Sequence, residues 1–219
     1  MHNTVKNLIY IEDEIKSKVN DIDNSKLPKV IAVSKTFSMD KILPLVEHGH
    51  IDYGENRVQE ALDKWTDIKL KNINVKLHLI GGLQTNKVKF ALKIFDYIHS
   101  LDNLKLANKI AEEQIKQGKR PKIFIQINIG NENQKSGIKK DKLVDFYKLC
   151  KQLNLDIIGL MCIPPANESS TKYFKKMFLL KNDINLSELS MGMSSDYLEA
   201  TKNYATYLRI GSRIFGQRN

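Results

Sequence analysis

A lysine at the end of a short apolar segment is the first residue of this sequence whose position suggests chemistry. Lys35 follows Val30–Ser34, and the period-two alternation of a strand places it on the same face as Ile31 and Val33. If that face points into an apolar interior, desolvation lowers the pKa of the amine and frees it to attack an aldehyde. A strand-end lysine that reaches solvent is the ordinary alternative, because most lysines are exposed.

Two segments near the C-terminus have the composition of a phosphate site. In Met193–Asp196, two serine hydroxyls and the backbone N–H groups precede a predicted helix, an arrangement that suits an anion. In Arg209–Ser212, Gly211 permits a close approach of the backbone and Ser212 adds a donor. Either segment alone is an ordinary cap or turn. The predicted phosphate site, which includes Ser194, therefore depends on the fold bringing the two segments together.

Other polar residues lie near the ends of predicted strands. Asn56 follows the second strand, and His78 alternates with leucines in the third, as either a satisfied core histidine or a polar group of the site. Gln126 and Asn128 share one face of the fifth strand and need partners if they are buried. No cluster of His, Cys, Asp or Glu has metal-ligand spacing, so we expect no metal site. No nucleophilic Ser/His/Asp arrangement or dinucleotide fingerprint is visible either.

These residues are spread over strand-like and helix-like segments that alternate along the chain. Apolar or alternating runs predict eight strands, at Val30–Ser34, Ile51–Tyr53, Val75–Ile80, Asp96–His99, Lys122–Asn128, Leu155–Cys162, Leu186–Met191 and Tyr207–Ile210. One helix, at Thr4–Val19, precedes the first strand. Asp102 is the predicted N-cap and Gly118 the C-terminal glycine of another helix. Further helices are predicted at Met39–His48, Arg57–Trp65, Asp141–Leu153 and Ser195–Asn203.

Eight successive strand-then-helix units predict an α/β fold, a single (β/α)₈ TIM-type barrel with an extra N-terminal helix. An open, doubly wound sheet is the alternative, but it usually has fewer strands. Without a visible linker or repeat, residues 1–219 are interpreted as one domain. In such barrels the active site lies at the C-terminal ends of the strands, and the loops after strands seven and eight often bind phosphate. That geometry places the two C-terminal segments opposite Lys35.

The composition argues against several other classes of protein. The net charge is +10, from 35 Lys and Arg against 25 Asp and Glu, which raises the alternative of a basic nucleic-acid-associated or ribosome-associated protein. The lysines are dispersed beside acidic residues, and no basic stripe interleaved with aromatics is present, so nucleic acid is not the favoured partner. No apolar run is long enough to cross a bilayer and no secretory signal is visible. We therefore expect a cytoplasmic protein, with Cys150 and Cys162 as buried or half-buried apolar residues.

The segments that carry these residues also match the motifs of a known family. The matches run in order across nearly the whole chain, at Ile31–Thr36, Tyr53–Glu60, His78–Lys87, Gln126–Glu132, Lys135–Gly137, Gly159–Met161 with Pro164, Leu189–Asp196 and Arg209–Gly216. On these motifs the sequence resembles the pyridoxal phosphate homeostasis proteins, also called proline synthetase co-transcribed proteins. It departs from the family pattern at Gly82, where the family usually has histidine, and at Leu77, where tryptophan is common.

The resemblance implies a fold like the N-terminal barrel of alanine racemase and a bound pyridoxal 5′-phosphate, held as a Schiff base on Lys35. It implies that Arg209 faces the pyridine nitrogen and that Ser194, Gly211 and Ser212 hold the phosphate. It also implies that Asn56 and His78 line the pocket near the ring. The implied cofactor contacts are therefore Lys35, Asn56, His78, Ser194, Arg209, Gly211 and Ser212.

The expected function is that of a carrier or buffer of the cofactor, without efficient catalysis. A racemase needs two positioned acid/base groups. Lys35 can be one, whereas in related two-domain racemases the second is a tyrosine from a C-terminal domain that this chain is too short to contain. Arg209 does not give up its proton, so the pyridine nitrogen stays unprotonated and the ring is a weaker electron sink. A weak pyridoxal-phosphate-dependent amino-acid racemase is the alternative. Apo-enzymes that receive the cofactor are the implied partners, and the resemblance suggests a monomer or weak dimer.

Overall fold

The computed structural model describes residues 1–20 and 26–217, and in this part of the chain eight parallel strands form a closed barrel. Each strand pairs with the next one along the chain, and β8 pairs back onto β1 with Arg209 opposite Ile31. The strands are β1 Lys29–Val33, β2 Asp52–Glu55, β3 Lys76–Leu79, β4 Tyr97–Leu101, β5 Lys122–Ile127, β6 Asp156–Cys162, β7 Glu188–Met193 and β8 Tyr207–Ile210.

Helices connect the strands around the outside of the barrel. They are α1 Asn3–Asn20, α2 Met39–Glu47, α3 Val58–Lys71, α4 Val88–Ile94, α5 Leu104–Gln117, α6 Leu143–Gln152, α7 Thr171–Asp183, α8 Tyr197–Lys202 and α9 Ser212–Phe215. The first of them, α1, precedes the barrel and packs against α2, α8 and α9. None of the helices in the described ranges is long and apolar enough to cross a membrane.

The predicted fold class is therefore confirmed, while several predicted element ends are corrected. The first strand ends at Val33, not at Ser34, so Lys35 lies in the turn after it. The N-cap of α5 is Asn103, whose side chain accepts the Leu106 N–H, and not Asp102. Gly118 does end that helix in the left-handed conformation, at φ 60°. The interpretation of residues 1–219 as one domain stays a prediction.

The inward face of the barrel is filled by aromatic and polar side chains more than by aliphatic ones. His78 stacks on Tyr97, with 4.1 Å between ring centroids, and His99 stacks on Phe124 at 4.3 Å. Tyr207 contacts this group from β8. The layer blocks the middle of the barrel, so the C-terminal mouth can hold a ligand but the barrel is not a pore.

The outward faces of the strands and the inner faces of the helices make the main apolar core. Its largest fully buried side chains include Trp65 on α3 and Phe174 on α7. Cys150 and Cys162 are also buried, as predicted, and both are free cysteines; burial raises the pKa of each thiol to about 12. Neither thiol is therefore poised as a nucleophile at neutral pH.

Candidate functional site

A cavity of about 770 Å³ opens at the C-terminal mouth of the barrel. The residues that line it come from the ends of the strands and the loops that follow them, where this fold places its active sites. Six of the seven predicted cofactor contacts lie in its wall, namely Lys35, Asn56, Ser194, Arg209, Gly211 and Ser212. The fold therefore brings together segments that are more than 170 residues apart in the sequence.

The turn that carries Lys35 is fixed by hydrogen bonds on both sides of the lysine. The Ser34 hydroxyl donates to Glu55 Oε1 over 2.8 Å, and the Thr36 N–H donates to Glu60 Oε1 over 2.6 Å. Thr36 has a φ of 65°, a left-handed conformation that a β-branched residue adopts only when its surroundings impose it. Lys35 itself is half-buried at the cavity wall.

A buried ion pair links the two acidic residues that hold this turn. Lys64 Nζ lies 2.8 Å from Glu55 Oε1 and 3.2 Å from Glu60 Oε1, and it also donates to the Ser34 carbonyl over 2.9 Å. Glu55 is fully buried and accepts a further hydrogen bond from the Trp65 indole over 3.0 Å. The sequence analysis missed this cluster, although Glu55 and Glu60 both belong to the motif quoted around Asn56.

The two predicted phosphate segments lie side by side after β7 and β8, and because β8 pairs with β1 they adjoin the turn that carries Lys35 rather than lie opposite it. The Ser194 hydroxyl after β7 accepts the N–H of Gly211 after β8 over 3.2 Å. A Cβ at Gly211 would lie only 3.3 Å from both Cβ and the carbonyl oxygen of Val33, so glycine lets this turn pack against the end of β1. Ser212, which follows, is exposed to the cavity side. The arrangement places the hydroxyls of Ser194 and Ser212 at one part of the cavity wall, where both can donate to an oxyanion.

Arg209 lies at the base of the cavity with its guanidinium almost completely buried. It is 5% exposed, donates from Nη1 to the Ser190 hydroxyl over 2.7 Å, and donates from Nη2 to the Cys162 carbonyl over 2.8 Å. Burial lowers the pKa of Arg209 from its ordinary value, but an arginine remains charged in proteins. The cavity therefore has a fixed cation that only donates hydrogen bonds.

His78 is not brought to the cavity wall. It is fully buried inside the barrel, where its ring nitrogens lie 2.8 Å from Asp52 Oδ1 and 3.0 Å from His99 Nε2. Burial lowers its pKa, against the opposing influence of Asp52. Of the two interpretations that the sequence allowed, the geometry matches the satisfied core histidine. The next inward residue of the same strand segment, Ile80, is the one that reaches the cavity.

The two departures from the family pattern have different surroundings. Leu77 is fully buried in the apolar core outside the barrel and does not line the cavity. Gly82 does line it, and a Cβ there would meet nothing within 4 Å. The neighbouring Gly81 packs directly on Asn56, because a Cβ would lie 2.4 Å from the Asn56 carbonyl oxygen. Glycine at position 82 therefore leaves this part of the cavity wall open.

Gln126 in β5 and Asn128 just after the strand have separate roles. Gln126 lines the cavity and donates to the Ser136 carbonyl over 3.1 Å. Asn128 instead holds the following loop, accepting the Glu132 N–H and donating to the Glu132 and Lys135 carbonyls. Across residues 1–20 and 26–217, no group of three His, Cys, Asp or Glu side chains is placed to hold a metal ion.

Comparison with known proteins gives one consistent result for most of the chain. Residues 12–219 match the family model for the N-terminal domain of alanine racemase. The pyridoxal phosphate homeostasis protein of Aquifex aeolicus is 37% identical over 200 residues, which are 87% of each chain. The protein of the same name from Pasteurella multocida is 34% identical over 226 residues, covering 98% of this chain and 97% of its own.

Solved structures give the same fold. PipY of Synechococcus elongatus, in a structure with PLP bound, is 31% identical with a TM-score of 0.79, and the match covers 92% of this chain and all of PipY. The PLP-free structure of PipY gives a TM-score of 0.83. An alanine racemase from Clostridium difficile 630 is 15% identical with a TM-score of 0.73 and is covered over 57% of its length. At that identity the racemase shares the fold alone.

Proposed function

The chain belongs to the pyridoxal phosphate homeostasis proteins, within the alanine racemase N-terminal domain family, and on that premise we propose that it binds pyridoxal 5′-phosphate in the cavity at the C-terminal mouth. When bound, this cofactor supplies an aldehyde that forms a covalent bond with a primary amine. The observation that carries the proposal is the meeting of Lys35, Arg209 and the Ser194–Gly211 contact around a single cavity.

The donors of the cavity fit the chemical groups of this cofactor. Ser194 and Ser212 offer hydroxyl hydrogen-bond donors for a phosphate, and Gly211 lets the backbone between them come close to the cavity. Lys35 offers a primary amine from a braced turn for the aldehyde. Arg209 offers N–H donors for an unprotonated ring nitrogen. Asn56, which follows β2, also lines the cavity and is proposed to orient the ring.

The same wall favours holding the cofactor over racemising an amino acid on it. Among the described residues that line the cavity, Lys35 is the only one whose side chain can serve as a general acid or base. Racemisation needs a second such group on the other face of the reacting carbon. We therefore propose a carrier that sequesters a reactive aldehyde in the cytoplasm and releases it when another amine displaces Lys35.

Borohydride reduction tests the covalent bond directly. After saturation with pyridoxal 5′-phosphate, reduction and digestion, mass spectrometry should find a pyridoxyl label on the peptide that contains Lys35. The label should disappear in Lys35→Ala and persist in Lys122→Ala, because Lys122 stands at the opposite, N-terminal end of β5. Finding no label on the Lys35 peptide of the saturated wild type would refute the proposal.

A racemase assay separates the carrier from the enzyme. With alanine or serine as substrate, the loaded protein should show no turnover in the range of ordinary enzymes, about 1 to 10³ per second. Turnover in that range would establish the racemase instead.

The proposed recipients of the cofactor are apo-enzymes, and mixing loaded protein with a pyridoxal-phosphate-free enzyme should restore that enzyme's activity. The protein is proposed to act as a monomer or weak dimer.

A further inference from the structure

Five buried polar side chains, each from a different strand, form a continuous hydrogen-bonded chain through the barrel. It begins at Asp52 on β2 and passes through His78, His99 and Ser190 to Arg209 on β8. The successive distances are 2.8 Å from Asp52 Oδ1 to His78 Nε2, 3.0 Å from His78 Nδ1 to His99 Nε2, 2.8 Å from His99 Nδ1 to Ser190 Oγ, and 2.7 Å from Ser190 Oγ to Arg209 Nη1. No member is more than 5% exposed.

Arg209 determines the direction of every hydrogen bond in this chain. A guanidinium has donors and no acceptor, so Ser190 Oγ accepts from it and gives its single proton to His99 Nδ1. A neutral His99 then carries its proton on Nε2 and donates to His78 Nδ1. His78 in turn donates from Nε2 to the carboxylate of Asp52. Both histidines therefore have the Nε2–H tautomer.

Hydrogen bonds that run in the opposite direction, with the donors pointing towards Arg209, are strongly disfavoured. They would leave the Ser190 proton without an acceptor and would point an unprotonated Nε2 of His78 at the Asp52 carboxylate. Doubly protonated rings are disfavoured too, because burial lowers the pKa of His78 and brings that of His99 well below its ordinary value. Stacking on Tyr97 and Phe124 holds the two rings in these orientations.

The hydrogen-bonded chain from Asp52 supplies the negative charge that the immediate neighbours of Arg209 do not provide. In the described part of the protein, its hydrogen bonds go to a neutral hydroxyl and a backbone carbonyl, and no carboxylate is in contact with it. Burying an unpaired cation is costly. Because every donor of the chain points away from Arg209, the negative end of each dipole faces the guanidinium, and the last acceptor is an anion.

We infer that Asp52, the two histidines and Ser190 are positioning residues that hold Arg209 at the base of the cavity from the opposite mouth of the barrel. None of these four residues lines that cavity. Asp52 instead borders a separate cavity at the N-terminal mouth, beside α1. The inference rests on the proposed function, because its consequence is that Arg209 meets the cofactor ring in one fixed orientation.

Ser190→Ala tests the link next to Arg209. Losing a hydrogen bond to a charged group should weaken the binding of pyridoxal 5′-phosphate at least about tenfold. The visible absorption band of the bound cofactor should also shift, because the guanidinium no longer has a fixed position. Ser190→Thr, which keeps the hydroxyl, should restore most of the affinity and the wild-type band.

Ser100→Ala is the matched control. Ser100 is 2% exposed and adjoins His99, but its hydroxyl has no hydrogen-bond partner among the described residues. This variant should therefore keep the affinity and the absorption band of the wild type. If Ser190→Ala behaves like Ser100→Ala in both measurements, the chain does not position Arg209 and the inference fails.

Nitrogen-15 NMR of the histidine rings provides a readout that needs neither cofactor nor variant. In the ligand-free wild type at neutral pH, both rings should be neutral with the proton on Nε2, and a proton on Nδ1 of either ring would overturn the inference. The two proposals also fail separately. A wild type that takes no covalent label defeats the proposed function but leaves the tautomers testable. If the wild type takes the label on Lys35 but its histidines have the proton on Nδ1, cofactor binding stands and only the inference about the positioning of Arg209 fails.

Discussion

At the level of single residues, the turn around Lys35 depends on a carboxylate that never reaches the cavity. Glu55 is fully buried and accepts three hydrogen bonds or ion-pair contacts at one oxygen, from Ser34, Lys64 and Trp65. Its second oxygen has no partner among the described residues. The positive charge of Lys64 is thus the main compensation for burying this anion.

Lys64→Met should destabilise the protein strongly. Removing one partner of a buried ion pair leaves an uncompensated charge, and the free energy of unfolding should fall by about 3 kcal/mol or more. Urea unfolding followed by circular dichroism measures the change. Lys16→Met is the control, because the Lys16–Asp13 pair is exposed and such pairs contribute less than about 1 kcal/mol. Equal losses in the two variants would show that the Glu55 pair has no special role.

At the level of secondary structure elements, helix ends depend on single side chains. The Asn103 side chain accepts the Leu106 N–H over 2.9 Å at the start of α5, while Asp102 only accepts a hydrogen bond from Asn103. Asn103→Ala should therefore lower the free energy of unfolding by about 1 kcal/mol. Thermal unfolding should show a clearly smaller loss for Asp102→Ala, and a larger loss for Asp102→Ala would identify it as the true cap.

The elements also show what the sequence could predict. All eight strands were found because alternating apolar residues reveal a half-buried or buried strand, and the errors lie at their ends. The short helices α4 and α9 were missed because helices of one or two turns depend on packing more than on their own sequence. For α7 a signal existed, since Tyr173, Phe174 and Met177 recur at helical spacing and are all buried.

The sequence could predict those residues of the candidate site whose position depends only on the order of the strands around the barrel. Lys35 and Ser194 follow strands, and Arg209 lies one residue before the end of β8; the C-terminal ends of these strands meet at one mouth. His78 was not predictable in this way, because its pattern is the same for an inward residue in the middle of the barrel and for one at the mouth. Only the register of β3, which sets His78 beside Gly54 and Tyr97, settles its depth.

At the level of the whole molecule, the two histidines inside the barrel make folding sensitive to pH. Burial lowers the pKa of both His78 and His99 below the ordinary value of 6.5. As the pH falls through 6.5, these two histidines therefore take up protons in the unfolded chain that they take up in the folded barrel only at lower pH. Their contribution to stability is complete above pH 6.5 and is lost as the pH falls through and below that value.

Stability should accordingly fall with acidity well before the carboxylates titrate. Where both rings are protonated only in the unfolded state, these two residues should lower the free energy of unfolding by about 2.7 kcal/mol per pH unit, because each proton contributes about 1.36 kcal/mol per unit. His50, whose pKa burial also lowers, should add to this slope. Urea unfolding at a series of pH values between about 7.5 and 5 measures the slope. In His99→Phe, where one titrating ring is replaced by an aromatic residue that can still stack on Phe124, the slope from these residues should be about half as steep. A wild type whose stability is flat over this range would mean that the barrel tolerates charged rings at its centre, and the directional chain to Arg209 would then lose its physical basis.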